Sequence, residues 1–175
     1  MSEPWSQLSD IDRLADRQTE VAFEIPLDQM PRVREQFASA GGRVSGVARF
    51  HRQAGFRVAE LDIKGSAQLV CQRCLEPMQV PIESTAHVAL IAAESEADSV
   101  PAEFETVHVP ENRVRVRDLV EEELLLTLPI SPLHEEAQEC GGGSKESTTD
   151  EQQDAPAPET QRPFEQLGEL LKRNH

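Results

Sequence analysis

Phe56-Arg57-Val58-Ala59-Glu60-Leu61-Asp62-Ile63-Lys64 decides the fold. Its apolar residues recur at alternate positions, the period of a half-buried β-strand. Phe56 and Val58 share one face, while Leu61 and Ile63 take the other, so the spacing predicts a bulge that shifts the register between them. Immediately upstream, Ala54-Gly55 is short enough for a tight turn, and Arg43 to Gln53 reads as the strand that precedes it. Downstream, residues 66–72 and 78–93 read as two further strands, with a cysteine-containing segment between them. Four strand-like runs joined by short breaks predict an antiparallel meander.

Outward from this centre the pattern changes period. Residues 8–19 carry helical spacing, with Leu8, Ile11, Leu14 and Ala15 on one side and Ser6 as a candidate cap. Val21, Phe23, Ile25 and Leu27 then alternate as one face of a strand, which Pro26 restricts to an edge or an end. Pro31 can open a short helix to about residue 38, because the first helical turn needs no N–H from it, and Gly41-Gly42 ends it. Beyond the meander, residues 94–100 read as a loop and 104–109 as a strand. Val114 and Val116 alternate with Arg113, Arg115 and Arg117 in another short strand. Asp118 is placed to cap a helix over 118–128, which Pro129 stops; Leu119, Val120, Leu124 and Leu128 form its apolar face, and Glu121, Glu122 and Glu123 are expected in solvent.

After Cys140 the composition shifts. Residues 141–161 contain no Val, Ile, Leu or Phe, so they cannot bury enough surface to offset the entropy of ordering. A disordered acidic and polar linker is expected there. Residues 162–175 follow as an amphipathic helix, with Phe164, Leu167, Leu170 and Leu171 on one side, to dock on the body or on a partner. The expectation is therefore a single α+β domain over residues 1–140. Its antiparallel sheet, with barrel closure as an option, is flanked by short helices near 8–19, 31–38 and 118–128.

Charge excludes some partners and leaves others. The 175 residues carry a net charge of −15, which repels phosphate at long range, and aromatic residues are only 4%, too few for a base-stacking platform. The charge is nevertheless polarised. Residues 32–73 hold eight basic and three acidic side chains, whereas 100–140 hold three basic and ten acidic ones. A basic face on an acidic protein is one reading, and Arg43, Arg49, Arg52, Arg57 and Arg73 are its candidate RNA-contacting residues. A plain solvated surface is the other. Residues 1–20 are polar, without the apolar core of a secretory signal, and no apolar run approaches the roughly 18 residues of a membrane span. A cytoplasmic protein with reduced thiols, without a membrane partner, is expected.

The segment Cys71-Gln72-Arg73-Cys74 places two thiols on one turn. Structural zinc wants four Cys or His ligands, and the best further candidates are His134 and Cys140. A lone Cys-x-x-Cys with such a loosely spaced second pair does not demand a metal. Two reduced thiols that tighten a turn, with no cofactor, are the plainer expectation. Thioredoxin-like redox chemistry requires the first cysteine at a helix N-terminus, but Cys71 ends an apolar strand. Arg73, between the cysteines, is expected to point outward from the tip. No phosphate-binding glycine loop, Gly-x-Ser-x-Gly or His-Glu-x-x-His occurs, so no catalytic residue is assigned and no enzyme is expected.

Three stretches together carry a resemblance: Leu69-Val70-Cys71-Gln72-Arg73-Cys74-Leu75-Glu76-Pro77; the acidic segment from Val116 to Pro129, followed by Pro132-Leu133-His134 and Cys140; and the closing Arg162-Pro163-Phe164-Glu165-Gln166-Leu167. In this order they resemble the YceD family, the large ribosomal RNA subunit accumulation proteins of bacteria and plastids. The resemblance implies a non-enzymatic role in synthesis, processing or stability of 23S ribosomal RNA. Its implied partner is that RNA or a precursor large ribosomal subunit. Some relatives carry a richer cysteine cluster where this chain has His134 and Cys140. An alternative from another class is an acidic adaptor that docks on a ribosomal or assembly protein and affects rRNA indirectly.

Overall fold

The computed structural model describes residues 3–39, 41–136 and 140. In chain order the elements are β1 (Ser9–Asp10), α1 (Ile11–Asp16), β2 (Glu20–Pro26), β3 (Arg43–Gln53), β4 (Phe56–Val70), β5 (Pro77–Ile91), β6 (Glu105–His108), β7 (Arg113–Val114) and α2 (Val116–Thr127). The organising turn is Ala54-Gly55. Both residues have positive φ, 51° and 87°, the combination whose twist matches a two-residue hairpin. From it, Gln53 opposite Phe56, the β3–β4 pairing continues to Arg43 opposite Ser66 without a break.

The expected bulge is therefore absent, and the reason is two apolar layers. Ala59, Leu61 and Ile63 face the main core, while Val58, on the opposite face of β4, packs with Ala89 and Phe104 in a small second cluster. The change of face in the sequence records burial on both sides of the strand, not a slip of register.

The five-stranded sheet has the order β2-β3-β4-β5-β6. It is open, with β2 and β6 as edges, so barrel closure does not occur among the described strands. Pro26, the last residue of β2, sits on an edge strand, where its missing N–H costs no ladder bond. The last pairing also departs from a pure meander: β6 runs parallel to β5, with Val88 opposite Glu105. Residues 92–104 make the crossover that parallel pairing requires, and they carry a 3₁₀ turn at Glu94–Ser99 rather than an irregular loop.

One face of the sheet is covered by Trp5, α1, residues 27–33 and α2, which bury Ile11, Leu27, Met30, Val33, Leu119, Val120 and Leu124 against Phe23, Ile25, Val44, Phe50, Leu61 and Ile63. The helices are shorter than the spacing predicts. Ser9 and Asp10 pair with β7 instead of joining α1, and Asp10 caps the helix by accepting from the Arg13 N–H at 2.9 Å. Ser6 bonds the Glu3 carbonyl in a separate 3₁₀ turn. Val116 belongs to α2 and not to a strand; Arg115 is its N-cap residue, and Asp118 lies in the first turn against Arg115 and Arg117.

The helix expected near 31–38 is only a 3₁₀ turn, Arg34–Gln36. The Arg32 N–H and, at 3.3 Å, the Val33 N–H are bound by the carboxylate of Glu121. Glu121 is only 1% exposed, which corrects the expectation that it is solvated. A buried carboxylate is tolerated because it accepts from donors that would otherwise lack partners. The expected linker 141–161 and terminal helix 162–175 lie outside the described residues.

Candidate metal centre

β3 ends opposite Ser66, so Ala67–Val70 and the paired Pro77–Val80 project beyond it as a two-stranded extension. Residues 71–76 close its tip. The Cys71 N–H donates to the Glu76 carbonyl at 3.0 Å, and the Leu75 N–H donates to the Cys71 carbonyl at 2.8 Å. Leu75 pays with a left-handed backbone, φ 64°, which is uncommon for a bulky side chain. Pro129 stands beyond the C-cap of α2 and diverts the chain toward this tip. There the Gln72 N–H donates to the Pro132 carbonyl at 2.8 Å.

This docking collects the sequence-predicted ligands. The donor atoms of Cys71, Cys74, His134 and Cys140 all lie within 4.8 Å of one another. Cys71 Sγ is 4.0 Å from Cys140 Sγ, and His134 Nδ1 is 3.5 Å from both Cys74 Sγ and Cys140 Sγ. Tetrahedral zinc, with bonds of about 2.3 Å to sulfur and about 2.0 Å to nitrogen, has S···S edges of roughly 3.8 Å and S···N edges of roughly 3.5 Å. These three separations lie close to those edges, and all three cysteines are free thiols. The donor set therefore fits a metal ion, where the spacing alone favours a plain turn.

Electrostatics point the same way. Burial alone pushes the Cys71 thiol up, but backbone hydrogen bonds from Cys74, His134 and Arg73, with the His134 ring, bring it down to about 5. At Cys74 the backbone of Glu76 lowers the pKa, yet burial and the neighbouring Cys140 and Cys71 raise it overall. The thiols thus compete for negative charge in a small volume, a conflict that a cation relieves. Arg73 relieves part of it already. Its Nε donates to Cys140 Sγ at 3.0 Å and its Nη2 to the carbonyls of His134 at 3.1 Å and Glu136 at 3.3 Å. Arg73 is exposed at the tip, but its guanidinium folds back and ties the segment that carries His134 and Cys140 to the tip. Its position inside the Cys-x-x-Cys turn is the only sign of this in the sequence.

Comparison with protein families matches residues 59–171, well over half of the chain, to the family described as "Large ribosomal RNA subunit accumulation protein YceD". The chain belongs to the YceD family. The protein of that name from Haemophilus influenzae is 34% identical over 77 residues. That match covers 41% of this chain and 44% of the relative, so the chain spans less than half of the relative's length. No solved structure matches.

In this YceD-family chain the five candidate RNA-contacting arginines are spread over both faces and both ends of the sheet. Arg43 and Arg49 lie on the open face. Arg43 pairs with Glu24, and Arg49 with Asp62 at 2.5 Å and Glu20 at 3.5 Å. Arg52 and Arg57 lie at the Ala54-Gly55 end, against α1 and residue 96. Arg52 meets Asp16 at 2.5 Å and Asp12 at 2.7 Å; Arg57 meets Glu96 at 2.6 Å, with only 16% of its side chain exposed. Arg73 stands at the far end of β4. Every one has an intramolecular acceptor, which their positions in the sequence give no means of seeing. No helix among the described residues is long and apolar enough to cross a membrane.

Proposed function

We propose that this chain supports accumulation of large-subunit ribosomal RNA as a non-enzymatic factor, built around a structural zinc ion held by Cys71, Cys74, His134 and Cys140. The observation that carries the proposal is the convergence of two separated family-carrying segments, 69–77 and 129–140, on one four-donor cluster. Four protein ligands close a zinc coordination sphere and leave no position for a substrate or an activated water. Bound zinc supplies crosslinking of the tip, not reaction chemistry. The chain's own residues do the rest: Arg73 neutralises Cys140, and Gln72 and Pro132 hold the two segments in register.

The contact with the ribosomal precursor is proposed to run through protein docking at this tip. Leu75, Ile130 and Leu133 are exposed around it, whereas the arginines already have acceptors. Direct contact of 23S rRNA by Arg43, Arg49, Arg52, Arg57 and Arg73 is the second reading. It is favoured by the exposure of Arg43, 68% of its side chain, because surface ion pairs of about 0–1 kcal/mol can exchange for phosphate. Affinity purification of the full chain from RNase-treated lysate separates the two. Retained large-subunit proteins support docking; their complete loss, with recovery only from untreated lysate, rejects it in favour of direct RNA contact.

A further inference from the structure

Beside the metal centre, a groove of about 720 Å³ runs between the free edge of β5 and the segment after α2. Pro77–Pro81 form one wall, and Pro129 with residues 131–135 form the other. Met78, Val80, Pro132 and Leu133 make much of its surface apolar. The apolar character continues onto the rim. Leu133, in one wall, is 47% exposed; Ile130, between the wall residues Pro129 and Ser131, is 104% exposed, and Leu75, on the adjoining tip, is 72% exposed. Single exposed leucines are ordinary, but clustering of this kind marks an interaction surface.

Charge and backbone chemistry narrow the occupant. Glu135 lines the groove, and Glu76 and Glu136 flank the tip; all three are exposed, and no side chain of the described residues pairs with their carboxylates. The nearest cation, Arg73, is engaged with Cys140 and two carbonyls. The groove is thus apolar over about half of its lining and negative at its margin. On the β5 edge, Pro77 and Pro81 offer no N–H, so of the alternate residues 77, 79 and 81 only Gln79 can donate outward. A full ladder with an added strand is unavailable, and recognition must rest on side chains. The five-residue edge spans about 13 Å, the length of roughly four extended residues.

We propose that this groove binds an extended, lysine- or arginine-rich protein segment that inserts aliphatic side chains between β5 and residues 129–135. The inference rests on the docking reading and names its partner's chemistry. RNA is disfavoured, because the rim repels phosphate and the lining holds no Phe, Tyr or Trp, its one ring being that of His134 in the thiol cluster. A second copy is disfavoured by the net charge of −15 on each chain.

The test uses the full zinc-loaded chain and three short synthetic peptides. One alternates lysine with valine or leucine, one replaces the aliphatics by serine at equal charge, and one replaces lysine by glutamate. The first is expected to bind, and both controls are expected to bind at least about tenfold more weakly. Leu133→Asp is expected to weaken the first peptide by about tenfold, as is the doubly exposed Glu135→Lys/Glu136→Lys variant, which perturbs no packing. Unchanged zinc content and melting temperature certify both variants. Equal binding of the serine peptide, equal binding of the glutamate peptide, indifference to both variants, displacement by a single-stranded RNA, or self-association that blocks the groove would each overturn the proposal. Co-sedimentation of the same variants with precursor large subunits separates the two levels. No peptide binding with intact co-sedimentation removes the groove and leaves the docking reading. Lost peptide binding with unaffected co-sedimentation removes the groove from the ribosomal contact.

Discussion

At the residue scale, Arg73 and Glu121 show how a charged side chain can look like surface and act as structure. Arg73 contacts the sulfur of Cys140 and two carbonyls of the segment that carries the candidate ligands His134 and Cys140. Groups that orient metal ligands typically influence affinity by about 10–100-fold. Arg73→Gln is therefore expected to weaken zinc binding within that range, measured by chelator competition, with Arg73→Lys retaining part of it; an unchanged constant for Arg73→Gln contradicts the role. Glu121 makes a parallel case. Removing its carboxylate in Glu121→Ala leaves the buried Val33 N–H and the part-buried Arg32 N–H without their acceptor, and a loss of about 1–3 kcal/mol is expected in urea unfolding. Glu121→Gln, which keeps an acceptor, is expected to cost less. Neither role was legible in the sequence. Arg73 sits among exposed residues of a turn, and Glu121 stands in a run of three glutamates whose helical phase alone does not say which one turns inward. The four metal donors were legible as candidates, but their convergence depends on the Gln72–Pro132 hydrogen bond, which no spacing rule reveals.

At the scale of elements, the β3–β4 hairpin was the most legible part. Its turn and both strands follow from Ala54-Gly55 and the flanking alternation, because a two-residue hairpin is set by local chemistry. The parallel pairing of β6 and the truncation of α1 were not, since both are decided by partners distant in sequence. One close approach fixes the sheet: a Cβ on Gly46 would lie 1.8 Å from the Asp62 carbonyl oxygen and 2.8 Å from the Phe23 ring. Gly46→Ala is therefore expected to destabilise the fold by at least the roughly 1–3 kcal/mol of ordinary overpacking, read as a lower denaturation midpoint. A second test concerns acid. The Asn112 side chain, with Arg52 and Arg57, outweighs burial and holds Asp12 below the usual carboxylate range. A depressed carboxylate stabilises above its unfolded pKa, about 3.9, and that contribution disappears as pH falls through the lower folded value. Wild type should exceed Asp12→Asn in stability at neutral pH, and the gap should close below about pH 3.9. A gap that is constant with pH contradicts the assignment.

At the scale of the molecule, a strongly acidic chain presents paired arginines on its sheet and open aliphatic side chains at one tip. Charge counting along the sequence suggests a basic face between residues 32 and 73, but the fold returns acidic partners to Arg43, Arg49, Arg52 and Arg57 from α1, β2, β4 and residue 96. The clamped tip is proposed to support large-subunit RNA. The most direct measurement is the ratio of 23S to small-subunit ribosomal RNA in cells whose only copy of the chain carries Cys74→Ser with Cys140→Ser. The expected ratio is as low as that of cells lacking the chain, with the variant protein present; a ratio equal to that of wild type would overturn the role of the tip.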